Sequence, residues 1–517
     1  MTTRNLLSGP ITFSSATARS ANVLHALQYP LRKLVFYSYI EGHRALLAEV
    51  IAHHLGTKPT DIEIAPQEWW QHGSFNLVIP LNVNVDPAHS SVPHAILRFP
   101  LPYRVGEVAN PGNSDEKLNC EAATYAWLEA NCPSVPIPKL YGFGLSTNQR
   151  FTNASLLPWW SRWLHEARRL FRAAFGLQQP SQYVPHASSR FAALDISYLL
   201  LETVTSGQTL SQSWDEKRDD ARLQNLQGDL ARVMVSLARV PLPRIGAFRL
   251  DSNGYLRLDN RPISVTTAMH ENEGLPLDLP RRTTFSSVED FTLSQLAAFE
   301  TRFFKQPNAI VDREDAWRQM ASLAGAKLTF PQLFRDDLRK GPFVFSLTDL
   351  HRSNIFVDEN WNITYIIDLE FACSLPVEFL QTPYWLDGGF IDQVTPAEFA
   401  PIHTEFMEHI RREEKLQQCR YLDTEEPLSS IMEQSWASGT FWVPLALRDP
   451  VSFTDIFYDR ILKGYFEFPD EELDNGAYFR FCSRLYRRNL PSIIDHKLDD
   501  RKRYMERLTE AFADAAA

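Results

Sequence analysis

The sequence predicts an α+β protein in two parts, and three observations carry that reading. Short apolar strands cluster between residues 60 and 204 around one long helix. Helical periodicity dominates from residue 205 to residue 517. Within that second part, residues 346–370, SLTDLHRSNIFVDENWNITYIIDLE, read as loop, strand, turn and strand, with a carboxylate at each functional end. The small sheet over 60–204 is expected to be antiparallel and to be interrupted at about 146–195. Residues 1–59 precede it as an extension and a helix.

From Met1 to Ile40 there is no Asp or Glu, while Arg4, Arg19, Arg32 and Lys33 stand among many Ser and Thr. That is the composition of a mitochondrial transit peptide. A polar tail in a cytoplasmic protein is the competing reading, and the one preferred. Residues 44–54 have helical periodicity that stops at Gly56. A glycine turn over 73–76 then leads into a strand expected to reach Val85. Such a turn can present backbone N–H groups to phosphate oxygens, or simply close a hairpin. Residues 94–100 form the next strand. Residues 115–130 form a helix ended by Pro133, Pro136 and Pro138, and residues 139–144 return as a strand.

Inside 146–195, PWWSRWLHEARRLFRAAF is a basic, aromatic, amphipathic helix. Contact with a membrane surface is one reading. Packing of its Trp and Phe face on the sheet is the expectation. Residues 198–204 are a buried strand running into Ser206-Gly207. Helices over 219–238, 291–304 and 314–326 follow, with a hairpin over 245–258 turning at residues 251–254. Helices continue to a frayed end at 513–517.

At 517 residues the chain can bury a large core and exceeds one typical domain. Apolar content of 44% and charged content of 22% are ordinary for a globular protein. With 63 acidic and 52 basic residues the net charge is −11, which argues against a nucleic-acid partner. The same balance suits a cationic substrate without locating it. Five scattered cysteines without a C-x-x-C pair point to reduced thiols rather than a disulfide framework. No apolar run approaches the ~20 residues that span a bilayer.

The chemistry concentrates in residues 346–370. Asp349 opens D-L-x-x-x-N, which ends at Asn354, and the return strand delivers Asp368 with Glu370 two residues on. On an extended segment that offset points both carboxylates to one side. Phosphoryl transfer needs a carboxylate to take the proton of an attacking hydroxyl, and oxygen ligands to hold magnesium against phosphates. Asp349 fits the first role, and Asn354 and Asp368 the second. The bland alternative is an ordinary hairpin with solvated carboxylates at its ends.

The segment resembles the motif of the aminoglycoside phosphotransferase and choline kinase family, H-G-D-x-x-x-x-N followed by I-I-D-x-E, especially in fungal members. Leu347 and Thr348 stand where that motif has His and Gly. The resemblance covers about residues 70–400. It implies a two-lobed protein-kinase-like fold, and phosphorylation of a small-molecule hydroxyl with ATP and Mg2+. It maps Gly73, Ser74 and Asn76 onto a nucleotide loop. It places Arg98 where kinases keep the lysine that contacts phosphates, with Glu121 as its ion-pair partner. It sets Glu202 on the strand entering the adenine-holding hinge, and makes Glu370 a second metal contact. Loss of the motif His leaves a second reading, a pseudokinase that binds nucleotide or a partner without turnover. A protein kinase is disfavoured because no A-P-E phrase follows Asp368. Burial of Leu347 beside Phe343, Phe345 and Ile355 is expected to support the loop, which favours an active enzyme.

Overall fold

Both faces of one antiparallel sheet are covered, and this arrangement accounts for most of the first half of the chain. The computed structural model describes residues 3–84, 92, 94–417, 426–466, 468, 469, 471, 473 and 476–513. The expected strand end at Val85, Cys419 and residues 514–517 lie outside the described residues. The largest sheet has eight strands. Its main path runs Ile62–Ile64, Asn76–Val83, His94–Pro100, Tyr198–Glu202, Leu140–Gly144, Gln149–Asn153 and Tyr183–Ala187. Gln71–His72 pairs beside Asn76–Val83.

Successive side chains point to opposite faces of such strands. Ala95, Leu97, Phe99, Tyr198 and Leu200 therefore share one face, and Leu199 and Leu201 the other. Helices Tyr29–Gly42 and Arg44–Leu55 cover the first face with Phe36, Ile40, Leu47 and Ile51. The second of them stops at Gly56, whose φ of 68° lets Thr57 N donate to Ala52 O at 2.9 Å. Helix Asn113–Asn131 covers the other face. The core on that side continues into helices Val288–Lys305 and Arg313–Leu333.

The acid-free N-terminal stretch is folded into the body. Thr3–Leu6 and Gly9–Thr12 pair as a hairpin, and Leu6, Ile11, Ala16 and Val23 pack on Tyr504, Leu508 and Phe512 of helix Leu490–Ala513. The expected polar tail is thus replaced by a packed element. The targeting reading gains no support, because removing this stretch would strip one side of that cluster.

Residues 146–195 also differ from expectation. They extend the sheet by two strands, Gln149–Asn153 and Tyr183–Ala187, instead of interrupting it. Polar side chains hid the first strand. Arg150 and Thr152 are buried, with Arg150 Nη2 donating to Phe191 O at 2.8 Å. Helix Trp159–Ala174 does not lay its rings on the sheet, since Trp159 is 81% exposed and Trp163 66%.

Past Ser206-Gly207, Gln208–Thr209 pairs with Ile355–Val357, which pairs with Ile363–Ile366. A Cβ on Gly207 would lie 2.6 Å from Val357 O, and its φ is 80°, so only glycine fits this crossing. In the hairpin turn, Asp358 Oδ1 accepts from the amides of Asn360 and Asn362 at 2.9 Å each. Trp361 is fully buried there, stacked 5.3 Å from Trp214. Helix Asp220–Ala238 follows the Asp219 cap, and Ala247–Leu250 pairs with Leu256–Asn260. Among the described residues four cysteines are free, and no helix is long and apolar enough to cross a membrane.

Leu508 is fully buried where the N-terminal hairpin meets the last helix. Leu508→Ala should lower stability by roughly 2–5 kcal/mol, read as a fall in the urea unfolding midpoint. A midpoint equal to the parent's would mean that this packing contributes little.

Candidate active site

Arg98 is the residue from which the site is built. Strand alternation sends it to the face covered by helix Asn113–Asn131, where it is 6% exposed. Its Nη1 donates to Glu121 Oε1 at 2.5 Å. Its Nη2 donates to Asp368 and, at 3.2 Å, to Glu370 Oε2. Burial disfavours the Arg98 charge, but Asp368, Glu121 and Glu370 outweigh it and hold the guanidinium pKa well above its usual value. Arg98 thus joins its strand, the helix and the end of the 346–370 hairpin.

A second cation lies beside it. Lys117 Nζ donates to Glu370 Oε2 and, at 2.9 Å, to Asn76 Oδ1. Asn76 Nδ2 in turn donates to Glu370 Oε2 at 2.8 Å. Lys117 and Glu370 are 4% and 2% exposed, so the set is dry. Sequence reasoning missed Lys117. The available signal was its position four residues before Glu121, on the same helix face.

The hairpin reaches this cluster through left-handed backbone. The strand ends at Ile366, and Asp368 and Phe371 have φ of 59° and 67°. The extended geometry expected to align Asp368 with Glu370 is therefore absent. The turn aligns them instead, since both accept from Arg98 Nη2.

Asp349 sits in a loop held at several points. Asn354 Nδ2 donates to Asp349 O at 3.0 Å, and Thr348 Oγ1 to Phe371 O at 2.7 Å. Two late residues add to this, as Trp385 Nε1 donates to Leu350 O at 2.9 Å and Arg448 Nη1 to Thr348 O at 3.2 Å. Leu347 is only half-buried and lines a cavity, so these hydrogen bonds, not burial of Leu347, secure the loop. His351 Nε2 lies 3.8 Å from Asp349 Oδ1. Burial, with the nearby charges of Asp368 and Glu370, pushes the Asp349 carboxyl up to about 7.

The remaining expected residues lie elsewhere. Gly73 closes a tight hairpin with Asn76 through a 2.9 Å backbone bond, and Ser74 O accepts from Arg104 at 2.6 Å. Gly73 lacks the positive φ of an anion-binding nest. Of that loop only Asn76 joins the carboxylate cluster. Glu202 is bound to Lys139, accepting from its amide through Oε2 at 2.9 Å and donating its own amide to Lys139 O at 2.9 Å.

Beside Asp349 opens a cavity of about 360 Å³. Its walls include Phe291, Gln381, Tyr384, Trp385, Leu447 and Arg448. It is largely apolar, and Gln381 Oε1 is buried there without a hydrogen-bond partner. An acid, a neighbouring polar pair and an adjoining cavity are the parts that a group-transfer site requires.

The profile of the phosphotransferase enzyme family matches residues 88–379. The chain belongs to that family. The match takes in Arg98, Glu121, Glu202, Asp349, Asn354, Asp368 and Glu370, and stops before Tyr384, Trp385 and Arg448. No curated protein matches the chain. Among solved structures, a Ralstonia eutropha protein provisionally assigned as an aminoglycoside phosphotransferase is 11% identical, with 85% of this chain and 96% of that one covered and a TM-score of 0.40. Macrolide 2'-phosphotransferase type I is 12% identical, covering 82% and 90%, at 0.32. ADP-bound aminoglycoside phosphotransferase APH(2'')-Ib is 10% identical, covering 82% and 94%, at 0.35. Membership rests on the family match alone.

In this phosphotransferase, Lys117→Met should cost about 3–5 kcal/mol, because Glu370 keeps its buried charge with one cation fewer. Adding Glu370→Gln should recover part of the loss in urea titrations. A double variant no more stable than the single one would show that Lys117 acts through other contacts.

Proposed function

We propose that this phosphotransferase moves the terminal phosphoryl group of ATP onto a hydroxyl of a small molecule, within a two-lobed protein-kinase-like arrangement. The observation that carries the reading is the raised pKa of Asp349, about 7, at the mouth of the cavity. A carboxylate of that pKa can take a proton from an alcohol near neutral pH. The eight-stranded sheet would serve as the nucleotide-holding part, and the helical region with residues 346–370 as the catalytic part.

Magnesium fits the donors present. Asn354 gives one side-chain bond, through Nδ2, to Asp349 O, and Asp368 supplies a carboxylate 28% exposed. Among the described residues no three acidic, His or Cys side chains converge as a metal cluster. One side-chain amide and one part-exposed carboxylate suit a cation which takes one or two carboxylates and completes its shell with water and phosphate oxygens. Asn354 and Asp368 would hold it, and it would neutralise phosphate charge. Glu370, with three donors on one oxygen, would fix Arg98 and Lys117 in place. Those two cations would then face the phosphates, with Glu121 anchoring Arg98. Asp349 would accept the acceptor's proton, and the apolar walls would exclude water from the attacking hydroxyl.

A pseudokinase is the second reading, motivated by Leu347 in the place of the motif His. The loop's bonds to Phe371, Trp385 and Arg448 favour an active enzyme.

Asp349→Asn should lower transfer by ~10²–10⁴ while the protein stays folded. Parent activity should fall as pH drops through about 7, because the base must be ionised. Stability should respond in the opposite sense. A carboxyl raised in the folded state contributes stability below its unfolded pKa, near 4, and loses it as pH rises through 7. Metal-free Asp349→Asn should therefore melt above the parent at pH 8 and with it at pH 4. Equal turnover in a folded variant would rule Asp349 out as the base.

Asp368→Asn should chiefly weaken Mg-ATP binding, since an amide is a poorer ligand for a hard cation. Calorimetry giving parent affinity would remove Asp368 from the metal site.

A further inference from the structure

Helix Trp159–Ala174 is amphipathic in the opposite sense to most helices on a globular body. Its polar side faces the protein. His165 is buried and its Nε2 bonds Ser181 O at 3.0 Å. Arg168 Nη2 donates to Tyr255 Oη at 3.0 Å, and Arg172 Nε to Gln178 O at 2.7 Å. Both guanidinium groups also lie over the Tyr255 ring, at 5.7 and 5.2 Å. Its apolar side faces outward. Trp159, Trp160, Trp163, Leu164, Phe171 and Phe175 are all between 56% and 81% exposed. At 3.6 residues per turn these six positions, with Leu170, fall in one continuous stripe instead of scattering round the helix. Single exposed apolar residues need no explanation, but a stripe of this kind marks a surface that is covered in use.

We propose that this helix docks the protein onto an anionic phospholipid surface, lying in the plane of the headgroups with its ring stripe in the acyl boundary. Three observations point to lipid. Three tryptophans in one stripe suit the interface, where their apolar rings are buried and their N–H groups stay wet. The charge is also complementary. In a chain of net charge −11, this helix holds Arg162, Arg168, Arg169 and Arg172 against the single acid Glu166. Arg168 and Arg172 are held against the body by Tyr255 and Gln178, and Arg169 by Glu166, which leaves exposed Arg162 to meet headgroup phosphates when the rings insert. A second copy fits less well. Pairing two such helices about a two-fold axis would set their arginine rows side by side. The one acid each could offer already accepts from Arg169 and Gln182, both at 3.3 Å. With no helix able to cross a membrane among the described residues, the attachment is peripheral.

The test is flotation of the full chain with phosphatidylcholine vesicles, with and without phosphatidylserine. The protein should float with the serine-containing vesicles. Arg162→Gln should weaken that binding about fivefold, as expected for one basic residue near an anionic surface. Trp163→Asp with Phe171→Asp should abolish flotation and leave the thermal midpoint unchanged, because both side chains are already exposed. Absence of flotation on either vesicle overturns the proposal. Equal binding to both vesicles overturns its anionic component. A parent dimer in sedimentation velocity that the double variant dissociates, without vesicle binding, would assign the stripe to a second copy of the chain.

Discussion

One carboxylate oxygen holds the centre of this molecule. Glu370 Oε2 accepts from Asn76 and Arg98 on two strands of the eight-stranded sheet, and from Lys117 on the helix beneath it. Taking such charges out of water is costly, and the cost is offset only when every ion finds its partners. The set therefore tolerates few alternative arrangements. Strands, helix and the end of the hairpin must meet in one geometry or leave a charge stranded. Order in this region comes from an all-or-none polar network laid over cores that would accept some sliding.

The loop before that hairpin shows how a missing motif residue is accommodated. Leu347 adds little support, since it stays half-buried at the cavity wall. The loop is gripped by side chains that arrive from later in the chain, Trp385 and Arg448, and by Thr348 reaching Phe371 O. Each such bond is worth about 1 kcal/mol net. Several of them can replace one histidine without restoring its chemistry.

What was legible in the sequence follows from which forces are local. The strand at 94–100, the helix that carries Glu121 and the hairpin after Asn354 all declare themselves by period and turn residues, and all are present. The strand Gln149–Asn153 was not legible, because Arg150 and Thr152 are buried polar residues paired to distant parts of the chain. Lys117 gains its role only where the fold brings Asn76 and Glu370 together around it. Asp368 was placed near Glu370 for the wrong reason, since a left-handed turn, which a sequence rarely announces, replaced the extended strand. The N-terminal stretch misled by composition. Its lack of acids says nothing of Leu6, Ile11 and Val23, which find their partners about 500 positions away.

The cavity beside Asp349 has a divided origin. More than half of its lining comes from within residues 88–379, the loop of Asp349 included, but Tyr384, Trp385, Leu447 and Arg448 come from beyond residue 379, where the family match ends. Under the proposed reading, the acceptor's surroundings are thus shared between the matched region and a segment beyond it. Drift in the later segment could retune which alcohol is accepted while the phosphate-handling parts stay fixed. Relatedness over 88–379 would then speak for the transferred group and for only part of what surrounds its recipient.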